Sequence, residues 1–438
     1  MTSEVVVMNR LGIALASDSA ATVYNNGRAK VYHADKLFML SSQHPVGVMI
    51  YNNSQLLGVP WETILKMYRK KLGLGKFDTL EEYAADLIKY IDGNDHLFPL
   101  AVQDQFYLNL IRTLFNSINE KVKDAIYQDY KDEDIDLEGD VAHEIIQEML
   151  TEWRAKKDIE CFDIAIGAKM AGKFSSDINQ ITMSYHEAWK IKTEDIGALR
   201  ELMILVISKE EILTETLSGL VIAGFGENEY FPVMQAFELG EIYEGKLKYK
   251  KLKPEKIDSK TPSIVKPYAE SEMVDTFLNG ISPPLELKLI EEIGDLIIGL
   301  PAATIDLLSG ISKKRKQEYK DQILPNSKAM FINVIKEFYS YRIKKHLDPI
   351  RQSIAYLPKN ELAHVAASLV NLNSFQKRMS ISEDETVGGP IDVAVISKGD
   401  GFVWIERKHY FRKELNHHFF RNYGLAAEGV NGGNNEKD

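Results

Sequence analysis

Two hairpin patterns, one near each end of the 438-residue chain, constrain its fold more than any other feature. Glu4 to Met8 is β-branched, Asn9-Arg10 with Gly12 supplies turn chemistry, and Ile13 to Ser17 continues as a second strand. Near the other end, Ile391 to Ile396 reads as a strand, Gly399-Asp400-Gly401 as a turn, and Phe402 to Ile405 as its partner. A chain that opens and closes on hairpins favours antiparallel sheets.

Between them the pattern alternates in blocks. Lys36 to Leu40 and Val46 to Tyr51 are short apolar runs without alternation, as in strands covered on both faces. Helices follow: Ile64, Leu65, Tyr68 and Leu72 recur at helical spacing, and Leu80, Tyr83, Ala84, Leu87, Ile88 and Ile91 form one stripe. From about Leu97 to Thr216 helical patterns dominate, with a core-packing stripe from Phe106 to Ile126. Strand signals return at Gly219–Phe225, Phe231–Phe237 and Gly245–Lys250. A second mostly helical stretch covers about Val274 to Leu357, and a last helix from Asn360 carries Leu362, Val365, Leu369, Leu372 and Phe375 on one side. The class expected is α+β, with two antiparallel sheets sandwiched between helix layers. A doubly wound parallel sheet is the runner-up, but no Gly-rich phosphate fingerprint supports it.

Composition excludes several functions. The net charge of −11 lacks the basic character of a nucleic-acid binder. The single cysteine, Cys161, rules out an intrachain disulfide and reads as a structural thiol. The N-terminus is unlike a signal peptide, and the apolar run Leu296 to Ile305 is too short to span a bilayer and contains Pro301. A cytoplasmic protein is expected. His417 and His418 have no carboxylate at ligand spacing, and no metal or cofactor motif occurs, so neither is expected.

The chemistry is concentrated at Thr2. Removal of Met1 would give one residue both a hydroxyl nucleophile and an α-amine able to accept its proton near neutral pH. Asp18 ends the adjacent strand in ASDSAAT and can lie at the same sheet edge. Lys36 opens the KLFML strand; paired with Asp18, its ammonium would activate Thr2. Asp384 precedes the Gly388-Gly389 turn and a buried strand.

These stretches, TSEVVVMNRLGIALASDSAAT, DKLF and DETVGGPIDVAVISKGDGFVWI, resemble the N-terminal-nucleophile hydrolases of the proteasome β-subunit type. The resemblance covers about residues 2–92, 217–273 and 360–406. It implies a four-layer αββα sandwich and a threonine peptidase. It assigns Thr2 as nucleophile, Asp18 as acidic partner, Lys36 as activating lysine and Asp384 as a holder of the amine. Thr22 matches the residue whose backbone pairs with extended substrate, and Ser271 falls where a Ser-Gly pair orients the amine. Met49 or Ile50 stands where a glycine lines the oxyanion hole, Val387 where a serine is frequent, and Glu270 and Glu272 flank Ser271.

The implied organisation is a core in three pieces, 2–92, 217–273 and 360–415. Helical insertions at 93–216 and 274–359 interrupt it, and a polar tail occupies 416–438. Partners implied are a peptide or protein substrate, other copies in a homo-oligomer, and an unfoldase or regulator. No nucleic-acid or membrane partner is expected. Two alternatives stand beside the peptidase: a silent fold serving assembly or binding, and a small-molecule amidase with the same mechanism.

Overall fold

The computed structural model describes residues 3–25, 28–129, 137–189, 192–213, 217–379, 388–409 and 411–418. Strands open the chain: β1 (Ser3–Asn9), β2 (Gly12–Ser17), β3 (Ala20–Asn25), β4 (Arg28–His33), β5 (Leu37–Met39), β6 (Val46–Asn52), β7 (Gln55–Leu56) and β8 (Val59–Pro60). Helices α1 (Trp61–Leu72), α2 (Leu80–Ile91), α3 (Leu100–Asp129), α4 (Leu137–Ala155), α5 (Ala165–Lys173), α6 (Ser175–Trp189) and α7 (Thr193–Ser208) follow. Next come β9 (Ser218–Gly224), β10 (Val233–Tyr243), β11 (Lys246–Lys251), β12 (Glu255–Lys256) and β13 (Ser263–Ala269). Helices α8 (Glu272–Asn279), α9 (Pro283–Gly294), α10 (Leu300–Leu307), α11 (Lys313–Arg342), α12 (Asp348–Ile354) and α13 (Lys359–Met379) precede β14 (Asp392–Ser397) and β15 (Gly401–Glu406). The class is α+β, as expected.

The chain divides into two units. The first combines the residues up to Ala34 with Ile257–Ser397 and the stretch from Val403. Its sheet has the order β13-β1-β2-β14-β15, and the pairs β13–β1, β1–β2 and β2–β14 are antiparallel. Period-2 alternation sends Val5, Val7, Ala14, Ala16, Val393 and Val395 to the face covered by α8, α12 and α13. Each valine buried there is worth about 1.5–3 kcal/mol. The alternate residues Val6, Met8, Ile13, Leu15 and Ile396 are fully buried too, which explains the continuous apolar runs. The β1–β2 turn forms as read. Asn9 accepts from the Leu11 amide and donates to the carbonyls of Ile354 and Leu357, so it also ties the hairpin to the end of α12.

The second unit comprises Asp35–Lys256 with Lys398–Phe402. Its sheet runs β11-β10-β9-β6-β5, with β12 on β10. Helices α1 and α2 cover one face with the stripes expected of them, Ile64, Leu65, Tyr68 and Leu72 from α1 and all six residues of α2. Thr79 and Glu82 close a capping box that starts α2. Helices α3–α7 build a separate core around Tyr107, Ile111, Leu114, Phe115 and Ile118, so the Phe106–Ile126 stripe is packing. Cys161 is half-buried, donating to the Leu247 carbonyl and accepting from the Tyr249 amide, and burial raises its thiol pKa.

One expectation needs correction. Phe375 is 60% exposed and Leu372 only half-buried, while Ala366, Val370, Asn373 and Lys377 join Leu362 and Leu369 inside. At 100° per residue Phe375 lies roughly 220° round the helix from Leu362, off the buried face. The helices from α9 to α11 form an arm that buries little: α9 buries no residue, α10 only Ile305 and α11 only Ser327. Among the described residues no helix is long and apolar enough to cross a membrane.

Candidate active site at the head of the first strand

The first unit places a buried carboxylate at the start of β1. Asp18, 1% exposed, follows β2 directly, and the hairpin register brings it beside Ser3. The Asp18 amide donates to the Ser3 carbonyl at 3.0 Å. In return the Ser3 amide donates to Asp18 Oδ1 at 3.2 Å, and the Gly388 amide donates to Oδ2 at 2.9 Å. A carboxylate this deep needs such donors, since an unsatisfied buried charge is costly. One side chain thereby joins the head of β1 to the Gly-Gly turn that leads into β14. Gly388 and Gly389 have φ of 151° and 82°, a backbone that favours glycine. The turn is held again by the Ala20 amide donating to the Gly388 carbonyl at 3.1 Å and by the Ser19 hydroxyl donating to the Pro390 carbonyl.

A second set of contacts holds Ser3 from α13. Asn373, fully buried, donates through Nδ2 to Ser3 Oγ and to the Glu270 carbonyl, both at 2.8 Å. Lys377, one turn further on, pairs with Glu270 at 3.1 Å. Ala269, opposite Ser3 in the β1–β13 register, takes φ 54° and turns the chain out of the strand toward Glu270. A left-handed alanine costs about 1–2 kcal/mol, so the site is built at some expense to the backbone. Ser271 follows at the N-cap of α8, half-buried, with no capping bond from its hydroxyl.

The remaining candidates are distributed as follows. Thr2 and Asp384 lie outside the described residues, as does Val387. Thr22 is in β3, opposite Val31 of β4. Lys36, Met49 and Ile50 belong to the second unit. Lys36 is buried just ahead of β5, and its carbonyl accepts the Ile50 amide at 2.9 Å. Ile50 therefore spends its N–H on the ladder, and its side chain joins Val46 and Val48 in the core under α1 and α2. Met49 pairs with Leu37 and is buried on the opposite face.

Sequence reading passed over Ser3, Asn373, Lys377 and Gly388 as site residues. The available signal was polarity on an apolar stripe: Asn373 and Lys377 continue the Leu362–Ala366–Leu369 face, where an unpartnered polar side chain would be costly.

No protein-family model matches the chain, and no curated protein matches it. Solved structures similar to the chain include three at 10% identity. The Gly-1 mutant of Anbu from Hyphomicrobium sp. strain MC1 gives a TM-score of 0.28 with 100% of both chains covered. The Anbu complex from Pseudomonas aeruginosa, described as a helical assembly, gives 0.32 over 100% of this chain and 98% of the other. Anbu, the ancestral beta-subunit, from Yersinia bercovieri gives 0.20 over 100% and 99%. A likeness of this size assigns neither family nor activity to this chain.

Proposed function

We propose that the chain is a proteasome-like threonine-nucleophile amide hydrolase acting on peptide or protein substrates in the cytoplasm, with Thr2 exposed by removal of Met1. The observation that carries this reading is the Asp18 carboxylate, which grips the Ser3 and Gly388 amides and so anchors the residue immediately after the nucleophile. Anchoring of that kind suits a mechanism in which position supplies much of the rate.

In the proposed reaction Thr2 Oγ attacks the amide carbonyl. The Thr2 amine takes the hydroxyl proton, directly or through one water, and passes it to the leaving nitrogen as the C–N bond breaks. Water then cleaves the acyl ester. Lys36 is assigned the positive potential that favours the neutral amine, and Asp384 with Ser271 the orientation of that amine. Thr22 is assigned backbone pairing with extended substrate. The oxyanion is assigned to backbone amides near Met49, although the Ile50 amide is bonded to the Lys36 carbonyl and β6 is paired on both sides. A four-layer αββα arrangement belongs to the same reading, and strands buried on both faces in each unit suit it. So does a homo-oligomer, supported by the exposed apolar residues of the α9–α11 arm, among them Leu287, Leu296, Leu300 and Leu307. An unfoldase or regulator would act on that assembly.

The variant Thr2→Ala is expected to abolish turnover while leaving the fold intact; a full hydrolytic rate in that variant would refute the proposal. A second reading, a silent fold used for assembly or binding, is favoured by the occupied Ile50 amide. An uncleaved Met1 in the purified protein would support it. A small-molecule amidase shares the mechanism and is separated from a peptidase by a panel of peptide and amide substrates.

A further inference from the structure

Strand β10 carries an irregularity with a side chain to present. Leu239 pairs with Tyr249 and Ile242 with Leu247, so Gly240 and Glu241 together oppose the single residue Lys248. Two residues against one is a β-bulge, a device that re-aims side chains next to binding sites. A Cβ on Gly240 would stand 3.4 Å from the Lys248 stem, so the bulge is packed closely on that side. Glu241 lines a cavity of about 150 Å³ within the second unit, together with Asn53, Gln55, Leu57, Phe106 and Thr113. None of the residues assigned to hydrolysis lines it.

We infer that this cavity binds a small organic cation, a primary ammonium of about six non-hydrogen atoms, the size that a cavity of this volume accepts. Three observations and one chemical argument carry the inference. Glu241 is 5% exposed, with one carboxyl oxygen accepting from the Tyr243 hydroxyl at 3.4 Å. The floor and walls are apolar, from Leu56, Leu57 and Leu110, while the exposed mouth bears the side-chain amides of Asn53, Gln55 and Asn109. Leu57 and Gly58, with φ of 47° and 78°, form the two-residue turn between β7 and β8, which sets Leu57 against the cavity. Finally, a single carboxylate is too few oxygens for a bare divalent ion. It suits one ammonium with an apolar tail against Leu57 and Phe106.

The charge around Glu241 fits. Tyr243 shares its strand, and Lys248 lies across from it on β11, but the Lys248 ammonium donates to the carbonyls of Val206 and Glu211. Burial raises the Glu241 carboxyl to about 8. Without a bound cation this carboxyl is therefore mostly neutral at neutral pH. An arriving ammonium releases that proton to solvent and leaves a carboxylate–ammonium pair, so affinity rises with pH toward about 8.

The test is a titration of the full-length protein with n-butylammonium, followed by NMR or calorimetry, beside n-butanol as the neutral control. The amine is expected to bind at least about tenfold more tightly than the alcohol, and Glu241→Gln to remove that preference. Thr113→Phe fills the cavity from α3 and is expected to abolish binding without touching the bulge. Amine affinity is expected to rise between about pH 6 and pH 8. Equal binding of amine and alcohol, an unchanged amine affinity in Thr113→Phe, or no binding of either compound would overturn the inference. The comparison of amine with alcohol on the native protein stands even if Glu241→Gln fails to fold.

Discussion

Asp18 concentrates more of the proposed site than any other single residue. Asparagine in its place keeps the shape but offers one acceptor where two backbone amides must be met. Asp18→Asn is expected to cost about 1.5–3 kcal/mol of stability and to lower turnover, read from a urea midpoint and a hydrolysis assay. An unchanged midpoint would contradict the two amide bonds. Asn373→Ala strips the donor from Ser3 Oγ and the Glu270 carbonyl and is expected to cost about 1–3 kcal/mol by the same measurement. Glu241 supplies a titration signature of its own. An unfolded glutamate ionises near 4.5, whereas burial holds this one protonated to about 8. Its contribution to stability is full below about 4.5 and is lost as pH climbs through 8. Lys248, lowered by burial from 10.5 to about 7, runs the other way: its contribution is full above 10.5 and is lost as pH falls through 7. Glu241→Gln is expected to flatten the fall in urea midpoint between about pH 5 and pH 8, and parallel profiles for the two proteins would count against it. At this scale sequence was informative where chemistry is local. Asp18 stands out because it ends the second strand of a hairpin, level with the start of the first. Asn373 does not, because its acceptors lie on β1 and near the end of β13, remote in the chain.

At the scale of elements, close approach of backbones sets the tolerances. Gly12 closes the β1–β2 turn where β2 meets β14, and a Cβ there would stand 2.6 Å from the Ile396 carbonyl oxygen. Gly12→Ala is expected to lower stability by about 1–3 kcal/mol, the usual cost of forcing volume into a packed interior. A thermal melt superimposable on that of the native protein would refute that packing. The hairpins and helices α1 and α2 were legible because their periodicities of 2 and 3.6 are carried by neighbouring residues. The face of α13 was less so, since a one-residue error in phase accumulates along 21 residues and carried Phe375 from the core to solvent. The bulge at Gly240–Glu241 left only a glycine as its mark, because register is a property of two strands together.

For the whole molecule, sequence gave the α+β class and the antiparallel pairing but not the division into two units. The line between them falls after Ala34, inside the opening run of strands. Which distant strand joins which sheet depends on packing summed over many residues, so β13 and β14 flank β1 and β2 without any local signal. The helical arm is the other large-scale feature. Its exposed leucines predict association, and sedimentation velocity is expected to find a particle several times the mass of the chain. A monomer at micromolar concentration would count against the proposed assembly. The proposed nucleophile is Thr2, freed of Met1 and anchored through Ser3 by Asp18. Peptide mapping after incubation of the purified full-length protein with a hydroxyl-directed covalent probe tests it most directly. The adduct is expected on a peptide that begins at Thr2; an N-terminal peptide that retains Met1, or an adduct at any other residue, would overturn the assignment.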